Sequence, residues 1–273
     1  MAADASVQSA AAPATARPGW LLVLGQELRD LWLGGRGLVL CFAFSILLSV
    51  IAYLVASRAD FNFLEQRESA SLTLQVAIAV GGLLTLLVAA DSVSGERERG
   101  TLETMLLTPV SRRQIASGKL FAALSLWLGA FLVSIPYIWL LGRDVGIVEE
   151  AIVAGFVVGT LLALFLVSVG LVISVLSSSN RISLSLSLFL LFALLAPTQL
   201  PAGVEKTWAG DLLVTANPLT AGEHYIGRIV VSGHGWSEDA NLLVAPVVAA
   251  VVSVVVAIVV AGRFMRLRGG VSG

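Results

Sequence analysis

Six apolar runs, each close to the length a helix needs to cross a bilayer, constrain this chain more than anything else in it. About 20 apolar residues cover the hydrocarbon core, and such runs fall at 38–57, 72–90, 120–141, 151–176, 182–200 and 241–262. The fifth is the poorest, because its apolar core ends near Ala196 and both Pro197 and Pro201 follow. Proline is tolerated at a membrane boundary or in a break that lines protein, so the run is kept as a span. The expected fold is an all-α integral membrane protein with six transmembrane helices. Only 13% of the residues are charged, against about 25% in soluble domains, and the mean hydropathy is +0.92. A net charge of -1 leaves no electrostatic footprint for nucleic acid. The single cysteine, Cys41, excludes disulfides within the chain and any CxxC or zinc site, and reads as a small packing residue.

Loop charge sets the expected orientation. With both termini on one side, that side collects Arg17, Arg29 and Arg36, then Arg97, Arg99, Arg112, Arg113 and Lys119, then Arg181, then Arg263, Arg266 and Arg268. The other side holds Arg58, Arg67, Arg143, Lys206 and Arg228. The asymmetry predicts cytoplasmic N and C termini in the cell membrane. Residues 1–16, rich in Ala, Ser, Thr and Pro, have too little apolar bulk to fold and are expected to be disordered. They lack the basic start and adjoining apolar stretch of a secretory signal.

No Asp, Glu, Lys, Arg or His occupies the middle of a span, which argues against an ion pathway or proton relay within the chain. The spans carry small residues instead. Ala151, Gly155, Gly159 and Ala163 recur every four residues on the fourth run, marking a face where another helix approaches closely, from this chain or from a second subunit. Ser183 and Ser187 on the fifth run are placed to hydrogen-bond to a neighbour.

Two segments between the spans are patterned. Trp20, Leu21, Leu24, Leu28, Leu31 and Trp32 share a helical face, with Gln26, Glu27, Arg29 and Asp30 elsewhere around it. This reads as an amphipathic helix over 17–36 lying on the inner leaflet, free to meet a soluble partner with its polar face. After the second run, Asp91, Ser92 and Gly95 are expected to end the span. Glu96, Arg97, Glu98 and Arg99 alternate in sign, and Thr101 is placed as N-cap of a short helix with Glu103 in its first turn. Leu102, Met105 and Leu106 make an apolar face with no evident core to enter, and Pro109 stops the helix. Such a face belongs on the membrane surface or in a groove of another protein. Ser111 and Gln114 then form a capping box, with Val110 and Ile115 at the staple positions.

The stretch GERERGTLETMLLTPVSRRQIASGK resembles the signature of ABC-2-type transporter permeases. The six-span plan with an amphipathic N-terminal helix is similar to that family over nearly the whole chain. The resemblance implies a permease domain over 37–262 with a basic tail at 263–273, working as a transmembrane subunit of an ATP-driven exporter. It implies a coupling helix at 96–108, carried by Glu96, Arg97, Glu98, Arg99, Thr101, Leu102, Glu103, Met105, Leu106 and Pro109. It makes residues 17–36 the connecting helix, with Trp20, Leu24, Glu27, Leu28, Arg29, Leu31 and Trp32 in that role. The implied partners are two cytoplasmic ATPase subunits and a second permease chain, identical or related. ATP and magnesium would reside on the ATPase. A P-loop needs Gly-x-x-x-x-Gly-Lys-Ser/Thr, and the chain's Gly118-Lys119 has Arg113 in place of the first glycine and Leu120 in place of the hydroxyl.

The connection at 201–240 is not featureless. Asn217-Pro218 reads as N-cap and N1 of a helix, with Leu219, Tyr225, Ile226, Ile229 and Val230 along one side, and Trp208, Leu212 and Leu213 suggest a shorter piece before it. In the family, re-entrant or surface helices close the outer end of the pathway at this place. His224 and His234, with Glu223, Glu238 and Asp239 near them, lack metal-ligand spacing. Two other classes compete: a carrier or channel needing no ATPase, and a membrane-embedded enzyme, which would need a catalytic constellation inside the spans.

Overall fold

The computed structural model describes residues 18–57, 63–199, 207–208 and 215–265. The expected disorder of residues 1–16, the apolar piece at Leu212 and Leu213, and the tail beyond Met265 fall outside them. Regular structure among the described residues is helical throughout. Helix α1 (Gly19–Leu28) passes through a π-type turn (Arg29–Leu33), where Gly34 N–H reaches the Arg29 carbonyl at 3.1 Å, into α2 (Arg36–Ala56). There follow α3 (Phe63–Arg99), α4 (Thr101–Leu106), α5 (Arg112–Gly142), α6 (Val148–Leu176), α7 (Asn180–Leu195), α8 (Pro218–Val230) and α9 (Val244–Phe264).

Among the described residues five helices, α2, α3, α5, α6 and α9, are long and apolar enough to cross a membrane. The fifth apolar run forms the 16-residue α7 and a single 3₁₀ turn, Ala196–Gln199. At 1.5 Å per residue α7 is about 24 Å long, short of a hydrocarbon core about 30 Å thick. Pro197 cuts it off, since it has no N–H for the ladder and its ring clashes with the preceding turn.

The second apolar run differs most from expectation. Asp91, Ser92 and Gly95 do not end it, and α3 continues to Arg99. The serine hydroxyls turn back onto their own helix, Ser92 to the Ala89 carbonyl at 2.7 Å and Ser94 to that of Ala90 at 2.7 Å. A lone Gly95 costs a helix only about 1 kcal/mol. The stop is Gly100, which adopts φ 72, a left-handed conformation open chiefly to glycine. The alternating charges therefore form the last turn of α3 instead of a separate elbow.

Helices α3, α5 and α6 make the centre of the bundle. The small-residue stripe of α6 is used inside the chain: a Cβ on Gly155 would stand 2.5 Å from Leu74 Cδ1 of α3, and one on Gly159 would overlap the Trp127 ring of α5. Ala151 and Ala163 are buried beside them. Trp127 is anchored in turn by its Nε1–H, which donates to Thr160 Oγ1 at 3.1 Å. By contrast, α2 and α9 keep rows of large apolar side chains uncovered, among them Leu38, Phe42 and Ile46 on α2 and Val248, Val251 and Val255 on α9. That outer surface suits lipid or a second subunit.

Candidate functional site

The ends of α3 and α6 and the starts of α2, α5 and α7 meet at one end of the bundle, where α1 and α4 also lie. Helix α4 is the short helix expected around Thr101, narrower than the 96–108 expected for it. Gly100 takes the N-cap position, and Thr101 sends its hydroxyl toward the Glu96 carbonyl at 3.4 Å. The apolar face of α4 does have a core to enter. Leu102 is 3% exposed, and Met105 and Leu106 pack with it against a cluster containing Ile115, Ala116, Ala261 and Met265. What α4 turns outward is Thr101, Glu103, Thr104 and Leu107, the last 77% exposed, followed by Thr108 and Pro109.

Beyond Pro109 the chain re-enters a helix through the capping box. Ser111 Oγ accepts from Gln114 N–H at 3.3 Å and Gln114 Oε1 accepts from Ser111 N–H at 3.2 Å. Val110 and Ile115 pack in the same apolar cluster as Leu102, so α4 and the start of α5 share one base.

Four ion pairs among the described residues, two on Lys119 and two on Asp91, fix this end. Lys119, 1% exposed, donates to Glu27 of α1 at 2.5 Å and to Glu96 of α3 at 2.6 Å. Asp91 accepts from Arg36 of α2 at 3.1 Å and from Asn180 of α7 at 2.8 Å, with Arg99 at 3.6 Å. Arg97 reaches the carbonyls of Ser177 and of Val175, the latter at 3.1 Å, while Glu98 accepts Asn180 N–H at 2.8 Å. Arg97 thus satisfies orphan carbonyls at the C-terminus of α6 and Glu98 an orphan N–H at the start of α7, each with the sign the helix dipole favours. Hydroxyls add to the clasp: Ser174 Oγ accepts from Ser94 N–H at 2.9 Å, and Ser183 Oγ donates to the Ala90 carbonyl at 2.8 Å. Each of Glu96–Arg99 contacts a helix of this chain, Glu96 and Arg97 from partly buried positions and Glu98 and Arg99 while staying exposed.

Helix α1 lies along α5 instead of resting on the leaflet alone. Val23, outside the expected stripe, is buried against Gly118, where a Cβ would stand 2.7 Å away. Trp20 stacks near Phe121 with ring centres 5.8 Å apart, Leu31 is buried, and Trp32 Nε1–H donates to Ser125 Oγ at 3.0 Å. Leu24 and Leu28 are half-buried, Arg29 is exposed, and Glu27 points inward to Lys119. Gly118 and Lys119, the Gly-Lys pair that lacks the rest of a P-loop, are thus the seat of α1. The signal was available: the capping box at Ser111 starts α5 early enough to place Lys119 two turns inside a helix.

The opposite end is closed by α8. Asn217 caps it by accepting Leu219 N–H at 2.9 Å, and its amide donates to the Leu194 carbonyl of α7 at 2.6 Å. Gly222 sits against Val158 and Leu162, and Leu162 is the middle residue of α6, so α8 reaches well into the bundle. His234 pairs with Asp239 at 2.7 Å, and no group of three metal-capable residues exists among the described residues.

Apolar helices long enough to cross a membrane, with a short exposed helix braced at one end, define a membrane protein. Residues 21–266 match the family described as ABC-2 family transporter protein, and the chain belongs to that family. It is accordingly a multi-pass membrane protein and a transmembrane component of an ABC transporter, not its ATPase. No curated protein matches it.

Proposed function

We propose that the chain is the transmembrane permease subunit of an ATP-driven exporter, worked by a separate cytoplasmic ATPase that docks on the outward face of α4. The observation that carries this reading is the contrast within α4. Leu102 anchors the helix in the bundle, whereas Glu103, Thr104, Leu107 and Thr108 are uncovered on a helix too short to be stable by itself. A force on α4 passes into α5 through the shared apolar base and into α3 through Gly100. Lys119 and Asp91 then tie those helices to α1, α2 and α7.

In this reading α7 counts as a sixth span, completed by the segment after it, so that both termini lie in the cytoplasm. Two ATPase subunits and a second permease chain complete the assembly, with α2 and α9 offering uncovered apolar surface for it or for lipid. ATP binding closes the ATPase pair, pushes the two platforms together and reopens the pathway toward the far side.

The test is co-purification with the ATPase. Leu102 is unsuited to it, because a charge there breaks the fold before it tests docking. Leu107→Asp and Glu103→Lys alter only the exposed face. Both variants are expected to insert and elute as wild type does but to lose the ATPase subunit; full retention by both would overturn the docking assignment. Transport by the purified chain alone would favour the ATPase-independent carrier instead.

A further inference from the structure

Glu223 packs into the bundle at a small cavity where, among the described residues, no charged side chain joins it. Glu223 lies on the second turn of α8 and lines a small cavity walled by α3, α6 and α7, in which Gln75 is the only other polar side chain among the described residues. The α6 wall is Leu162 and Leu166 and the α7 wall is Leu191. On α8 itself His224 and Arg228 are exposed, away from the buried side that Leu219 and Ile226 share with the cavity. The ionisable groups on the packed elements stand away from it: Glu65, Arg67 and Glu68 at the start of α3 and Asp91 and Glu96–Arg99 in its last turns, Glu149 and Glu150 at the start of α6, and Arg181 at the start of α7. Around α9, Asp239 is held by His234 and Arg263 lies at the far end.

An ionised carboxylate at the level of mid-α6 is therefore desolvated with no cation beside it among the described residues, which favours the neutral form. Burial raises the group from 4.5 to about 7. Two further groups point the same way. Thr220, one turn before Glu223, and Ser187, one turn before Leu191, are fully buried, with hydroxyls that have no hydrogen-bond partner. Water entering beside α8 would relieve all three, so the seated position of α8 is held on polar terms that a charge can reverse.

We propose that Glu223 is a proton-binding site that sets the position of α8: the neutral carboxyl keeps the helix seated between α3, α6 and α7, and its ionisation releases the helix and admits water to that end of the bundle. This goes beyond the docking of an ATPase and does not depend on it. The sign follows from linkage. The seated state binds the proton more tightly than the released one, so seating is complete at low pH, weakens as pH rises from 4.5 to about 7, and changes no further above that. Helix α8 thus brings an ionisable group into the bundle from outside the spans.

The experiment uses the full chain in nanodiscs with no ATPase present, in a Cys41→Ala background. The near-isosteric Thr220→Cys is labelled with a membrane-impermeant maleimide, and its rate is divided by that of an exposed Ser237→Cys reference. The ratio is expected to rise by up to about tenfold per pH unit between roughly pH 5 and 7 and then to level off. Adding Glu223→Gln, a neutral isostere, should hold the ratio at its acid value throughout. Infrared difference spectra over the same window should show the loss of a protonated-carboxyl band that the Glu223→Gln protein lacks. A flat ratio with Glu223 in place, an undiminished rise in the Glu223→Gln protein, or the same infrared band in both proteins would overturn the proposal.

Discussion

Lys119 carries its charge at a point nearly closed to water, and two carboxylates from different helices answer it. A buried ammonium with one partner roughly balances its desolvation against its pairing, and removing the cation strands whatever faced it. Lys119→Met should leave Glu27 and Glu96 facing each other across a dry gap. Because both keep some contact with water, the expected loss is at the lower end of the usual range, about 3 kcal/mol. It reads out as a fall in thermal midpoint in detergent, with α1 becoming accessible to protease first. Changing Glu27 and Glu96 to Gln in the same chain should restore part of the stability; no recovery would mean that Lys119 matters through its packed stem alone. Such a triad is hard to read from sequence, because Glu27 and Glu96 lie far apart along the chain and each sits in a stretch where charges belong on the surface.

At the scale of elements, close approach explains more than polarity does. The α6 stripe predicts its own use by spacing, and Leu74 and Trp127 fill the grooves that Gly155 and Gly159 leave. Gly155→Ala should cost about 1–3 kcal/mol through overpacking. Its three nearest contacts are all Leu74 side-chain atoms, so Leu74→Ala in the same chain should cost less than the two single changes added together. Strict additivity in a double-mutant unfolding cycle would contradict the packing. Apolar runs, the capping box and the Asn217 cap were legible because each is local: a period, a stop residue or a side chain reaching its own backbone. The length of α3 and the inward face of α4 were not. Whether Asp91 ends a helix depends on Arg36 and Asn180 meeting it, and whether Leu102 finds a core depends on Ile115 and Met265 arriving from two other helices.

Among the described residues, Lys119, Asp91 and Arg97 tie the helices together at the end that carries α4, while at the far end α8 packs between α3 and α6 and Asn217 and Tyr225 hydrogen-bond to the Leu194 and Trp236 carbonyls. If the α4 end is cytoplasmic, cysteines at Thr104 and at Ser237 should react with an impermeant reagent from opposite sides of a sealed cell or vesicle. Reaction of both from the same side would contradict the proposed topology. The most direct test of the central claim is site-specific photo-crosslinking in the working assembly, with the probe at Leu107 and a control probe at Ser237. The account predicts an adduct between residue 107 and the ATPase subunit and none from residue 237. A platform that crosslinks only to lipid, with the ATPase bound and active, would contradict it.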